Sequence, residues 1–236
     1  MASTTLAQFR TRIAAKTALS NTTAADQGMI DDLVNMAYED VVRRTSCKVG
    51  TTTISLSAST GDYTIPTSYL HIMEVYTTTS GQSYSMQRTT AEDIIRRRIG
   101  VSTGFSSSPA RYYATQGIDL LLVWPTPSAA DSLSVYYVAR PTALSASADL
   151  PSAIPAEFHQ LIEYKACAEA ADYAEMVISR GRMTPTVDPT RWLLLYEKGL
   201  KELRVSVSRA GGRRLAPVRI NRRLTVPLIR STDLGN

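Results

Sequence analysis

The chain has 236 residues, 44% hydrophobic and 20% charged, with a net charge of +5 and two cysteines. At roughly 150 residues per domain this is one large domain or two small ones, and the apolar content is too high for wholesale disorder. The longest apolar run, LLLVW at 120–124, falls far short of the roughly 20 residues a membrane-spanning helix needs.

The opening MASTTLAQFRTRIAAK places arginines and threonines where a secretory segment would carry an apolar core, so no signal peptide is read. Instead Thr5-x-x-Gln8 forms a capping-box pattern, with Leu6, Phe9 and Ile13 following at helical spacing. Thr23-x-x-Asp26 repeats the pattern ahead of the stripe Ile30, Leu33, Val34, Ala37, Tyr38 and Val41. Cys47 and Cys167 lie far apart without CxxC spacing and read as two reduced thiols in a soluble protein.

From about residue 50 the period changes from helical to alternating. TTTISLSAS, DYTIP, YLHIMEVYTTT and QSYSMQR read as short strands punctuated by Gly61-Asp62 and Ser80-Gly81. A short helix, TAEDIIRRRIG, intervenes before ARYYATQ, a Gly117 turn, IDLLLVWP and DSLSVYYVAR. In the last run Leu133, Val135, Tyr137 and Ala139 face one way and Ser132, Ser134 and Tyr136 the other. Such strands predict an antiparallel sheet or small sandwich. The Ser/Thr/Ala-rich loops at 101–109 and 142–153 are expected to be the mobile parts.

Helical spacing resumes in IPAEFHQLIEYKACAEAADYAEMVISRG, with Pro155 at the first helical position and Gly181 as the stop. Its small residues Ala166, Ala168, Ala170, Ala171 and Ala174 fall on more than one face. They fit a central helix of a monomeric bundle, or a helix that also meets an adjacent subunit through Ala168, Ala171 and Ala174. Asp188-Pro189 opens a last helix with Trp192, Leu195, Tyr196 and Leu203 on its apolar side. The expected fold class is α+β: a bundle of about four helices, an inserted antiparallel β module and an extended C-terminal arm. The expected division is 1–49 with 150–208 for the bundle, 50–149 for the β module and 209–236 for the arm.

That arm differs from everything before it. From Arg204 onward there are eight arginines, no lysine and one acid, Asp233, a net of +7 against +5 for the whole chain, so residues 1–203 carry −2. Within it Val218, Ile220, Leu224, Val226 and Leu228 occupy even positions, while Arg219, Asn221, Arg223 and Thr225 occupy odd ones and Arg222 breaks the pattern. Pro217 and Pro227 exclude a helix interior and a central strand. One apolar row beside one arginine row suits docking along another protein, where guanidinium groups can make bidentate contacts with carboxylates. Folding back on its own body and attraction to DNA phosphate are the other two readings, since the electrostatic contribution follows charge and not pattern.

The rest of the chain offers no catalytic constellation. There is no GxSxG, GxGxxG or GxxxxGK[ST] motif. His71 falls in a strand pattern and reads as structural. His159 and Glu163 share a helix face at i, i+4, a spacing that permits a metal, but only Cys167 offers a third ligand, so a packing or solvent-facing pair is the reading. Asp31-Asp32, Glu39-Asp40 and Glu92-Asp93 are sequence neighbours that point apart. Arg96 and Arg97 lie four residues after Glu92 and Asp93, which neutralises part of the Arg96–Arg98 run. No enzyme activity, cofactor or metal is expected.

Taken in order, DYTIPTSYLHIMEVY (62–76), PARYYATQGIDLLLVWPTP (109–127), LSVYYVARPTAL (133–144) and DLPSAIPAEFHQLIEYKA (149–166) resemble the head-to-tail adaptor, or connector, proteins of tailed bacteriophages with a β domain inserted into a helical bundle. The resemblance spans roughly residues 5–200. It implies a structural protein of the virion's head–tail junction, assembled in the host cytoplasm. It further implies a homo-oligomeric ring of about twelve subunits under the portal protein, around a channel through which DNA passes without sequence-specific contact. A stopper, tail-tube or nozzle protein would follow below. The C-terminal segment would order on docking to the portal through Arg213, Arg214, Val218, Arg219, Ile220, Arg222, Arg223, Leu224, Val226 and Leu228. The competing reading is a nucleic-acid-binding protein that uses the arm for phosphate contacts, with the β module as reader.

Overall fold

The computed structural model describes residues 3–17, 19–99, 107, 109–128, 130–178 and 189–210. Among them the chain runs α1 (Leu6–Thr17), α2 (Ala24–Thr45), β1 (Val49–Ser55), β2 (Asp62–Thr64), β3 (Tyr69–Thr79), β4 (Gln82–Ser85), β5 (Gln87–Arg88), α3 (Ala91–Ile99), β6 (Tyr112–Gln116), β7 (Leu120–Trp124), β8 (Ser132–Ala139), α4 (Gln160–Ile178) and α5 (Pro189–Ala210). The class is α+β, as expected, with two four-stranded sheets set between α2 and α4.

Both capping boxes form. Thr5 and Gln8 exchange backbone-to-side-chain bonds of 3.0 and 3.3 Å, and Thr23 and Asp26 do so at 3.3 and 3.2 Å. Each pair satisfies two N–H groups that the first helical turn leaves unpaired. Behind these caps Leu6, Phe9 and Ile13 of α1 and Ile30, Val34, Ala37, Tyr38, Val41 and Val42 of α2 are buried in one core. Helix α4 lies at its centre, touching α1, α2 and α5. Its Ala166, Cys167 and Ala170 let neighbours approach, and α5 exploits this most closely. A Cβ on Gly199 would come within 2.3 Å of Leu161 Cδ2, in the buried seam between the two helices.

The first sheet has the order β1-β8-β3-β4 and the second β2-β7-β6-β5. Val75, Leu133 and Val135 of the first meet Tyr63, Tyr113, Leu121 and Val123 of the second in a sandwich core. The LLLVW run is apolar throughout because β7 is buried on both faces. Leu121 and Val123 point into the sandwich, while Leu122 and Trp124 pack beneath Ile94 of α3. The first sheet also reaches the bundle: Val138 of β8 belongs to the helical core, with Leu70 and Met73 of β3 against it.

Three expectations give way. The β module is not wholly antiparallel, because β5 pairs with β6 in parallel; the chain runs on from β4 through Met86 into the second sheet without a reversing turn. Pro155 does not open a continuous helix. It precedes a single 3-10 turn, Ala156–Phe158, and α4 begins only at Gln160; Gly181 lies outside the described residues. The segment 142–153, read as mobile, is instead tethered at many points. Asn35 donates to Leu144 O at 3.0 Å and accepts from Leu144 N at 2.8 Å. The Asp149 carboxylate accepts from Ser145 N and Ala146 N, and Tyr38 accepts from Ala153 N at 2.9 Å. Leu6 N and Ala7 N of α1 donate to Asp149 O and Ser147 O, both at 3.0 Å. Such a short-range composition of serine and alanine carries no sign of partners more than a hundred residues away. Of the other loop, residues 101–106 and 108 lie outside the described residues.

Asn35→Ala strands the N–H and C=O of Leu144, and equilibrium unfolding in urea should show a loss of about 1–3 kcal/mol. Asn35→Asp keeps the acceptor and loses the donor, and should fall between the variant and the wild type.

Candidate functional site

The arm departs from α5, and the anchoring of that helix decides where it does so. Buried Tyr196 donates to Asp40 Oδ2 at 2.6 Å, and Arg44 bridges to Glu197 at 2.7 Å. Arg204 then donates to the Arg44 carbonyl, the last turn of α2, at 2.9 Å. Burial pushes the Tyr196 hydroxyl well above its ordinary range, and its bond to Asp40 adds to this, so it stays protonated and donating. Contacts that rise together along both helices, 196 with 40 and 204 with 44, show that α5 runs in the same direction as α2. Its end at Ala210 therefore lies at the bundle end that leads into β1.

The arm residues Arg213, Arg214, Val218, Arg219, Ile220, Arg222, Arg223, Leu224, Val226 and Leu228 lie outside the described residues. Of the three alanines, Ala168 and Ala171 are 1% and 4% exposed within the subunit itself. As placed they present no open surface to a neighbour, and an arginine at either would break the subunit's own packing before it tested assembly. Ala174 lies on the α4 backbone.

His159 and Glu163 are both buried but face different partners. His159 Nδ1 accepts from Thr4 N at 3.1 Å, and Nε2 lies 3.0 Å from Ile154 O. Glu163 binds Lys16 and, at 3.5 Å, Arg12, both from α1. Glu163 therefore staples α1 to α4, His159 ties the segments that precede the two helices, and both are committed to packing. Burial, with the nearby Glu163 adding to it, pushes the Cys167 thiol up to about 12, which keeps it protonated and unreactive. Among the described residues no group of three His, Cys, Asp or Glu is arranged to hold a metal. No helix there is long and apolar enough to cross a membrane.

Two of the three arginines that end α3 are spent locally. Arg97 bridges to Asp93 at 3.3 Å and lies 4.7 Å from the Tyr112 ring centroid. Arg98 reaches Asp62 and Gly61 O, each at 2.7 Å, clamping the helix to the sandwich. The expected partnership of Glu92 with Arg96 does not form among the described residues. Sequence reasoning missed Asn35, Asp40 and Arg44 as anchors, because each acts on a partner more than a hundred residues away and lies in no local motif.

One comparison bears on the role of the chain. The model of the SU10 adaptor protein family matches residues 4–222. The chain belongs to that family. Its members are structural, and the adaptor role is that of a phage head–tail adaptor, a component of the virion. No curated protein matches the adaptor's sequence.

The buried imidazole gives this adaptor a defined pH response. Burial holds the His159 pKa below its ordinary value, so its contribution to stability is complete above the unfolded histidine range near 6.5 and is lost as pH falls toward the depressed folded value. Urea titrations from pH 7.5 down to 5 should show this decline; His71, whose pKa is also lowered by burial and by Arg43 and Arg88, acts in the same direction, so His159→Gln should reduce the decline.

Proposed function

We propose that this adaptor forms a ring of about twelve subunits, closed by repeated head-to-tail contacts, beneath the portal at the head–tail junction. In this reading the bundle (1–49 and 150–208) and the inserted β module (50–149) build the ring wall around the DNA channel. The arm (209–236) docks on the portal, and the opposite side of the ring receives a stopper, tail-tube or nozzle protein. The observation that supports portal docking is the arm's composition: an apolar row alternating with arginines, continuing from a helix whose last turns are bound to α2. A body of net charge −2 before Arg204 leaves the arm as the one strongly basic segment. Its apolar row gives protein contact a share of the binding that salt does not screen, whereas phosphate binding alone weakens steeply with salt.

Truncation after Ala210 removes the arm and spares the described body. The truncated adaptor should keep its circular-dichroism spectrum and unfolding midpoint yet fail to co-sediment with portal particles. Full-length adaptor should remain bound when salt is raised from 50 to 200 mM, an interval over which a contact of six or more phosphates would weaken about a thousandfold. Truncated adaptor that still co-sediments contradicts the docking role.

A further inference from the structure

Among the described residues the first sheet ends on two unpaired edges, β1 and β4. On β1 the neighbouring bonds Ala139 N to Lys48 O and Leu56 N to Asp131 O fix the exchanged pairs at even positions. Val49, Thr51, Thr53 and Ser55 therefore turn their N–H and C=O groups away from β8, and all four are exposed. On the far edge, Ser80 and Gly81 both have positive φ, 51° and 79°, a two-residue turn whose flanking pair Thr79 and Gln82 is hydrogen-bonded. Ser83 and Ser85 then direct their backbone groups outward, and every residue of β4 is exposed.

Natural sheets blunt such edges with charge, proline or cover. This sheet does neither of the first two: no charged residue or proline occurs from Val49 to Gly61 or from Val75 to Gln87. Two further features show what fits there. The four strands alternate in direction throughout, so β1 and β4 run oppositely, and a second copy laid beside the first brings β4 against β1 antiparallel. The faces also agree. Ile54 marks the even side of β1 as the sandwich side, and Tyr84, opposite buried Thr77, marks the same side of β4. The outward-directed residues of both edges thus carry their side chains on the other face, as a continuous sheet requires.

We propose that β1 of one subunit pairs with β4 of the next, Thr51 opposite Ser85 and Thr53 opposite Ser83, so that the first sheet continues from copy to copy. This rests on the ring reading given above and names its lateral contact. Within a subunit the Thr78 and Ser83 hydroxyls already lie 2.9 Å apart, and Thr53 of the neighbour extends that row across the junction. The surface recognised is a second copy of this chain, by backbone hydrogen bonds and small hydroxyl side chains.

The test uses assembled particles carrying Thr52→Cys and Tyr84→Cys together, the residues brought opposite each other between the two bonded pairs. Mild oxidation should give a ladder of covalent adaptor multimers on non-reducing gels, absent from either single variant. A ring visible by electron microscopy with no ladder overturns the edge pairing alone, and no ring at all overturns the ring reading with it. Multimers from Thr52→Cys alone would mean that β1 pairs with β1, which also overturns it. Thr53→Pro removes an N–H that the subunit does not use. The purified variant should unfold at the wild-type midpoint but enter particles roughly tenfold less; normal incorporation refutes the pairing.

Discussion

The constraint on which this fold depends is the return of the chain from the β module to the bundle. Leu144 lies 109 residues after Asn35, beyond the whole insertion, yet the Asn35 amide pairs with both of its backbone groups. Tyr38, one turn along α2, receives Ala153 N, and the start of α1 closes over the same segment through Asp149 and Ser147. The Asp149 carboxyl is held below its ordinary range by the two backbone N–H groups it accepts. Residues 140–158 thus behave as a strap sewn to two helices, α1 and α2. Without it, α4 would enter the bundle in no defined register, and Ala166, Cys167 and Ala170 could not meet α1, α2 and α5.

A second consequence concerns the sandwich. Because Val138, on the face of β8 opposite Leu133 and Val135, joins the helical core together with Leu70 and Met73 of β3, the first sheet is shared between two hydrophobic centres. The register shifts in β3 at Tyr69/His71 and Ile72/Glu74 lie where this exchange takes place. Bulges of this kind redirect side chains to the opposite face, and here they join module to bundle by packing as well as by chain connection.

The helices and most strands were legible in the sequence because their signals are local. Thr5-x-x-Gln8 and Thr23-x-x-Asp26 are complete capping boxes within four residues, and the 133–139 alternation is a property of one strand. The joins were not legible. Nothing about Asn35, Asp40 or Arg44 in their own surroundings distinguishes them from solvated helix residues, and their partners lie 109 to 160 residues away. The alanines of α4 illustrate the same limit: their size announces close approach, but not whether the approaching helix belongs to the same subunit. The proposed docking site was legible only as a pattern, since its residues lie outside those described.

The direction of α5 has a mechanical meaning. A load applied at Ala210 along the axis of this 22-residue helix meets grips at Tyr196, Glu197, the Gly199 seam and Arg204. Such a load is borne in shear by many grips at once, whereas a strand hauled off a sheet edge unzips one bond after another. The middle of α5 therefore shares such a load among several contacts instead of yielding them singly.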